Sequence, residues 1–201
     1  ALPILPPLFP LIMIDLNANL AGLGVAMAAY SVSTGMLQTP VGLLVDRIGG
    51  RRVLIIGLTV NAIGIAAAGF STSLWMLGAF LFLAGVGNSV FHPCDYSVIS
   101  ATITERRLGR AYSVHQLGGF LGYALAPAGI TVLGTAFGWQ TAIIIAGIAG
   151  FALGILLGEG AAKLGAMAGL DGSSLKTLLT NFMGAFEGVG FKPLAGLVIA
   201  G

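Results

Sequence analysis

Residues 42–52 read Gly42-Leu43-Leu44-Val45-Asp46-Arg47-Ile48-Gly49-Gly50-Arg51-Arg52 and interrupt an otherwise nearly uncharged apolar chain. A helix must end, reverse and restart within this stretch, because long apolar runs lie on both sides of it. Glycine adopts positive φ without steric cost, which predicts that Gly49 and Gly50 form the reversal. We expect the carboxylate of Asp46 to face the N-terminus of the next helix, whose partial positive charge stabilises it.

The composition indicates a membrane protein. Hydrophobic residues make up 57% of the 201 residues and charged residues only 8%, with a mean hydropathy of +0.99, whereas soluble domains carry about 25% charged residues. The 32 glycines are typical of closely packed membrane helices. Cys94 is the only cysteine, which excludes an internal disulfide and a CxxC metal or redox site. We expect no cofactor, no bound metal and no nucleic-acid partner.

Apolar runs predict five complete membrane spans and one clipped span, since a bilayer core needs roughly 20 residues per helix. Residues 1–14 are too short to cross and resemble the end of a first span, which predicts that the chain is a fragment. The complete spans are predicted at residues 21–45, 53–70, 74–101, 108–133 and 140–158. The connections are short, so neighbouring helices should be antiparallel.

The basic residues orient this predicted bundle. Seven of the nine fall in alternate connections, on one side of the membrane: Arg47, Arg51, Arg52, Arg106, Arg107, Arg110 and Lys163. By the positive-inside rule this side is cytoplasmic, and we expect a bacterial inner membrane. The first three of these arginines should pair with Asp46 or with lipid phosphates. Trp75 and Trp139 lie toward the other side, where indoles favour the headgroup level.

The chain changes character after the sixth predicted span. We therefore predict a first domain at residues 1–158 and a second segment at residues 159–201. Residues 160–174 are rich in glycine and alanine and indicate a linker, and residues 175–186 have the pattern of an amphipathic helix at the cytoplasmic interface. Residues 193–201 are the start of a seventh span or a frayed end.

A polar stripe lies in the fourth predicted span. Asn88, His92 and Asp95 are spaced i, i+4 and i+7, which places them on one helix face. Ionisable groups at membrane depth are costly unless they face water or a partner, so they indicate a functional site. Pro93 cannot donate to the carbonyl of Ser89, which predicts a kink beside the stripe.

The fifth predicted span supplies a partner for this stripe. At about 1.5 Å per residue, Asp95 and His115 each lie roughly 10 Å from the basic side. Antiparallel neighbours at equal depth can meet, so we predict contact between Asp95 and His115, with Gln116 nearby. The contact is either part of a transport site or a structural hydrogen bond between helices. Small residues follow it, for which we expect close helix packing, namely Gly118, Gly119, Gly122, Ala126 and Pro127.

The stretch at residues 42–52 resembles the signature between the second and third helices of major facilitator superfamily transporters. The resemblance covers residues 1 to about 158, one six-helix half, and implies an all-α membrane protein. It implies that the turn braces two halves during alternating access, through Gly42, Asp46, Arg47, Gly49, Arg51 and Arg52. Two further stretches, at residues 85–93 and 110–119, resemble the fosmidomycin-resistance type of efflux transporter, which implies proton-driven export of a small molecule.

Two features depart from antiporters of this superfamily. The small-residue strip resembles their fifth-helix glycine-proline signature, but Ala126 replaces the glycine before Pro127. The antiporters also carry an arginine in the fourth helix at the position of Leu81. The missing cation argues against proton coupling through that position.

Two functions remain open from the sequence. The first is secondary active transport. Its candidate transport and proton-coupling residues are Asn88, His92, Asp95, His115 and Gln116. It requires a second six-helix half or another membrane subunit, with lipid as the surrounding partner. The alternative is a half-transporter-like structural or accessory subunit of a larger membrane complex. An enzyme is not expected, because no catalytic motif accompanies the ionisable residues.

Overall fold

The computed structural model describes residues 4–152, and that part of the chain is helical, without strands. A 3₁₀ turn at Pro6–Leu8 leads into the first of seven helices. The helices are α1 (Phe9–Asp15), α2 (Leu20–Ile48), α3 (Gly50–Ala68), α4 (Leu74–Asn88), α5 (Phe91–Thr102), α6 (Leu108–Phe137) and α7 (Trp139–Ala152). A second 3₁₀ turn, Glu105–Arg107, joins α5 to α6. The architecture agrees with the predicted all-α half bundle.

Within residues 4–152, four helical segments are long and apolar enough to cross a membrane: Leu20–Ile48, Gly50–Ala68, Leu74–Ser97 and Glu105–Phe137. They correspond to the second to fifth predicted spans. Pro6–Asp15 and Trp139–Ala152 are shorter apolar helices, at the positions of the clipped first span and the sixth span. The rest of the sixth predicted span lies outside the described residues. So do the linker, the amphipathic helix and the seventh span predicted within residues 159–201.

A single glycine reverses the chain between α2 and α3. Gly49 has φ +86° and ψ 140°, and it is both the C-cap of α2 and the N-cap of α3. The prediction of positive φ is confirmed for Gly49 and wrong for Gly50, which is the first residue of α3. Gly49, the N-cap of α3, has no side chain to cap that helix, and the expected approach of the Asp46 carboxylate to the start of α3 stays a prediction. The charged stretch therefore consists of the end of α2 and the start of α3, with Gly49 alone between them.

The fourth predicted span is interrupted, as Pro93 predicts. Helix α4 ends at Asn88 and α5 begins at Phe91, with Ser89 and Val90 between them. Proline has no N–H to donate to the carbonyl four residues before it, which here belongs to Ser89. The hydroxyl of Ser89 donates to the carbonyl of Val86 at 2.7 Å, so this buried side chain is satisfied within its own turn.

Glycines let α4 pack closely against α2 and α3. A Cβ on Gly85 would collide with the carbonyl of Tyr30 and the hydroxyl of Ser33, and a Cβ on Gly87 would collide with the backbone of Asn61. Hydrogen bonds cross the same contacts: Ser33 Oγ donates to the carbonyl of Phe82 at 3.0 Å, and Asn61 Nδ2 donates to that of Ala84 at 2.7 Å. These bonds and close approaches fix α4 against its two neighbours.

The main apolar core lies toward the end of the bundle opposite the arginines. Its members come from the segment before α2 and from α2, α3, α4, α6 and α7, and include Leu8, Ile12, Leu23, Ile65, Leu77, Leu81, Ile130 and Ile143. Leu81, at the position of the antiporter arginine, is 1% exposed. Its surroundings are apolar, so the described part of the chain places no cation there.

The two tryptophans occupy different environments. Trp75 is 84% exposed, in agreement with an indole at the membrane surface. Trp139 is only 2% exposed and belongs to the apolar core. The indole of Trp139 is enclosed by the bundle and hydrogen-bonded within it, at the end opposite the arginines, and its depth relative to the lipid headgroups stays a prediction.

Helix α6 leaves most of its surface uncovered in the described structure. A Cβ on Gly118, Gly119 or Gly122 would meet no atom within 4 Å. The prediction that this strip packs closely against a neighbouring helix is therefore wrong within residues 4–152. Helix α6 meets α5 at Tyr112 and His115 and meets the first 3₁₀ turn at Gly134, and the three glycines lie between these contacts.

Candidate functional site

Asp95 and His115 form the centre of the candidate site. Nε2 of His115 lies 3.3 Å from Oδ2 of Asp95. The His115 side chain is 39% exposed and that of Asp95 is 23% exposed, so neither is fully covered within residues 4–152. The predicted contact between these residues is confirmed, and their role in transport stays a prediction.

The chain path explains why these two side chains meet. Asp95 lies seven residues before the end of α5 at Thr102, and His115 lies seven residues after the start of α6 at Leu108. The short 3₁₀ turn between the two helices keeps their ends together. At a rise of about 1.5 Å per residue both side chains therefore stand at the same depth, roughly 10 Å from this connection.

The rest of the predicted stripe is divided by the interruption of the helix. His92 stays on α5 with Asp95, and its ring stacks on Tyr96 with a centroid distance of 6.0 Å and an interplanar angle of 27°. Asn88 ends α4, before the interruption. Within residues 4–152, Asn88 makes no hydrogen bond to His92, Asp95 or His115. The structure thus groups three of the predicted residues and leaves Asn88 apart.

Two tyrosines that the sequence reasoning did not select stand beside the pair. The rings of Tyr96 and Tyr112 meet edge to face, with centroids 5.5 Å apart and an interplanar angle of 73°. Together with Gln116 they line an open cavity of about 330 Å³. Gln116 follows His115 on α6 and lines this cavity, and its expected proximity to the Asp95–His115 pair stays a prediction.

A sequence signal for the tyrosines was present. Tyr96 follows Asp95 directly, and Tyr112 precedes Gln116 by four residues, one helical turn. Aromatic rings next to a polar stripe in a membrane helix are therefore candidates for the same site. Their side-chain directions could not be read from spacing alone.

The exposed polar side chains mark one side of the described bundle. His92, Tyr96, His115 and Gln116 are exposed on α5 and α6. Large apolar side chains are exposed elsewhere on the long helices, for example Val25, Val32, Leu43, Ile55, Ile56 and Ile63. Aliphatic side chains suit lipid, whereas ionisable groups at membrane depth need water or a protein partner. The α5–α6 side is therefore the candidate transport surface.

The signature residues around the α2–α3 reversal are separate from this site. Asp46 and Arg47 lie in the last turn of α2, and Arg51 and Arg52 lie in the first turn of α3. All four are exposed, and Arg51 is engaged in an interaction. A Cβ on Gly42 would meet nothing within 4 Å, so packing within the described residues does not require a glycine there.

Metal chemistry has no support in the described part of the chain. No group of three His, Cys, Asp or Glu side chains within residues 4–152 could hold an ion. Cys94 is a buried free thiol in a small apolar cluster with Val45, Val53 and Val90. What the site offers chemically is a carboxylate, two imidazoles, an amide and two aromatic rings.

Comparison with known proteins agrees with the helical architecture. The family model described as Major Facilitator Superfamily matches residues 3–164. The uncharacterized MFS-type transporter YfnC of Bacillus subtilis is 28% identical over 177 residues, which cover 87% of this chain and 43% of that protein.

Two further relatives carry names that state a substrate. The probable L-galactonate transporter of Escherichia coli is 24% identical over 70% of this chain and 31% of its own length. The probable sulfoacetate transporter SauU of Cupriavidus necator is 25% identical over 69% of this chain and 32% of its own length. The chain thus spans less than half the length of each of these relatives.

Proposed function

This chain belongs to the major facilitator superfamily, and from that premise we propose that it carries out proton-coupled efflux of a small molecule by alternating access. Its relatives are transporters, so it is an integral membrane protein with a transport rather than an enzymatic role. Within the superfamily, the stretches at residues 85–93 and 110–119 favour the fosmidomycin-resistance type of efflux transporter.

The observation that carries the proposal is the contact of 3.3 Å between His115 and Asp95. A carboxylate and an imidazole in contact can hold a proton on the histidine, where the negative charge stabilises it. Both side chains are partly exposed, so the proton can be exchanged with water. In this mechanism the pair takes up a proton from one side and releases it when the site opens to the other side.

Proton coupling through the pair does not need the arginine that superfamily antiporters carry in the fourth helix. Leu81 occupies that position in an apolar core, whereas Asp95 and His115 lie on the other side of the helix interruption. His92 and Gln116 contribute further hydrogen-bonding groups on the same surface. Asn88 takes part in the transport cycle from the end of α4, next to the interruption.

Alternating access requires a partner for the open side of α6. Transporters of this type rock two repeats around a site near the middle of the membrane. The relatives are more than twice as long as their matched regions, and a second six-helix half would cover the glycines of α6 that face open space here. Another membrane subunit that packs against α6 in the same way would also complete the transport pathway.

The reversal at Gly49 braces the two halves in this proposal. Four exposed charges lie on two helix ends that are joined by one residue, so they move with α2 and α3 as rigid bodies. Gly42 leaves room for a partner helix outside the described residues. We place this basic end in the cytoplasm of a bacterial cell and the protein in the inner membrane, in accordance with the positive-inside rule.

Proton flux in proteoliposomes tests the proposal. The whole protein is reconstituted with a pH-sensitive dye, and a panel of small organic acids and amines that includes L-galactonate and sulfoacetate is added under an imposed pH gradient. We expect a substrate-dependent proton flux that Asp95→Asn and His115→Gln abolish, while substrate exchange at equal pH persists.

Glu105→Gln is the matched control, because Glu105 is an exposed carboxylate in the turn between α5 and α6. It should retain the proton flux. Wild-type proton flux in Asp95→Asn would contradict coupling through the pair. Substrate movement without proton movement in the wild type would contradict proton coupling, and no response to any compound would count against transport by this protein.

A further inference from the structure

We infer that the corner between Tyr96 and Tyr112 binds a flat aromatic ring of the substrate, so that the transported compounds are small aromatic molecules. The inference rests on the proposed transport function and specifies its substrate class. The two rings meet edge to face with an interplanar angle of 73°. The corner is the space between the face of one ring and the edge of the other.

This geometry suits a third ring. Aromatic groups prefer offset-stacked or edge-to-face arrangements with centroids about 4.5–7 Å apart. A flat ring that enters the corner can stack on one tyrosine while it meets the other in an edge contact. A saturated ring of the same size gains no such quadrupole interaction, because it has no π face.

The size of the cavity sets the size of the ligand. Its volume is about 330 Å³, at the lower end of the range of about 300–1,000 Å³ for small-molecule pockets. A cavity of about 150 Å³ is sufficient to hold benzene. The space therefore accommodates one aromatic ring with a short substituent.

The exposure of the rings argues for a binding role over a packing role. Tyr96 is 46% exposed, although α3 and α2 pack against other parts of α5. His92 stacks on Tyr96, which orients the tyrosine ring without burying it. Tyr112 is half-buried, and both rings border the open cavity, whereas aromatic residues that only hold helices together are covered by those helices.

The corner also adjoins the proton-carrying pair. Tyr96 follows Asp95 on α5, and Gln116 follows His115 on α6. In this proposal a ring in the corner directs its substituent toward the carboxylate and the imidazole, and the Gln116 amide, which lines the same cavity, orients it.

Binding of matched ring compounds tests the inference. The whole protein in lipid nanodiscs is titrated with benzylamine and cyclohexylmethylamine, and with benzoate and cyclohexanecarboxylate, while ligand-observed NMR reports the dissociation constants. We expect the aromatic member of at least one pair to bind about three- to tenfold more tightly than its saturated counterpart.

Variants test whether the two tyrosines cause the preference for aromatic over saturated ligands. Tyr96→Leu and Tyr112→Leu should remove it, whereas Tyr96→Phe and Tyr112→Phe, which keep the rings, should retain it. Phe137→Leu is the matched control, because Phe137 is exposed at the other end of α6. Thermal unfolding of each variant separates loss of binding from loss of the fold. No aromatic preference in the wild type, or a preference that both leucine variants retain, overturns the inference.

Transport measurements separate this inference from the proposed function. Proton-coupled flux of compounds without any preference for aromatic rings would refute the aromatic corner and leave the proposed function intact. Ring-selective binding that depends on the tyrosines, without flux, would support the corner and contradict the proposed transport.

Discussion

The indole Nε1 of Trp139 donates a hydrogen bond of 2.9 Å to Oδ2 of Asp15, across 124 residues of sequence. Gln140 donates to the same carboxylate oxygen. Asp15 ends α1 and Trp139 begins α7, so these bonds join the first and last described helices. They close the bundle at the end opposite the arginines.

Replacement of Trp139 by phenylalanine should destabilise the protein. The change removes the indole donor and part of a buried ring, which predicts a loss of about 1–3 kcal/mol in the free energy of unfolding. The measurement is unfolding of the purified protein in detergent micelles. Trp75→Phe is the matched control and should change stability by less than about 0.5 kcal/mol, since Trp75 is exposed. Equal losses in both variants would contradict a structural role for the bond to Asp15.

Alanine at Gly49 and alanine at Gly50 should have different effects on stability. Gly49 has φ +86° and ψ 140°, a region that residues with a Cβ avoid at a cost of about 1–3 kcal/mol. Gly50 is helical, so Gly50→Ala should be neutral within about 0.5 kcal/mol. Unfolding in detergent compares the two variants directly. If both are neutral, the reversal is not made by Gly49 as described.

The close contact of α2 with α4 predicts a strong effect of Gly85→Ala. The added methyl would collide with the backbone of Tyr30 and with Ser33, and overpacking of this kind costs about 1–3 kcal/mol. Gly35→Ala in α2 is the control, because a Cβ there meets nothing within 4 Å. It should stabilise the protein by up to about 1 kcal/mol through helix propensity. A larger loss for Gly35→Ala than for Gly85→Ala would contradict the packing.

The Asp95–His115 contact predicts a measurable coupling in a double-mutant cycle. For partly exposed pairs the coupling is about 0.2–1 kcal/mol, and we expect a value in this range between Asp95→Asn and His115→Gln. The cycle is measured from unfolding free energies of the two single variants and the double variant. Asn88→Ala combined with His115→Gln should show additive effects, because these two residues make no hydrogen bond. Additivity in both cycles would mean that the contact contributes nothing to stability.

Much of the fold could be predicted from apolar run lengths and from the two breaks that glycine and proline impose. The predicted ends of the second to fifth spans lie within a few residues of the helix ends, and the interruption falls one turn before Pro93. The Asp95–His115 contact also followed from the sequence, because a short connection places residues at equal distances from it at the same depth.

The errors concern what each helix face touches. The glycines of α6 were expected to be packed and are open within residues 4–152, and the burial of Trp139 among other side chains was not predicted. Composition cannot distinguish a small residue that meets another helix in the described chain from one that faces a partner or a cavity. Tyr96 and Tyr112 escaped notice for the same reason.

Hydropathy and spacing alone thus specify the class of protein, the order of the helices and the depth of each residue along them, since these depend on distance along the chain. The rotation of each helix about its axis depends on side-chain packing with neighbours distant in sequence. That rotation buries Trp139 against Asp15, and it turns Tyr96 and Tyr112 into one open corner beside Asp95 and His115.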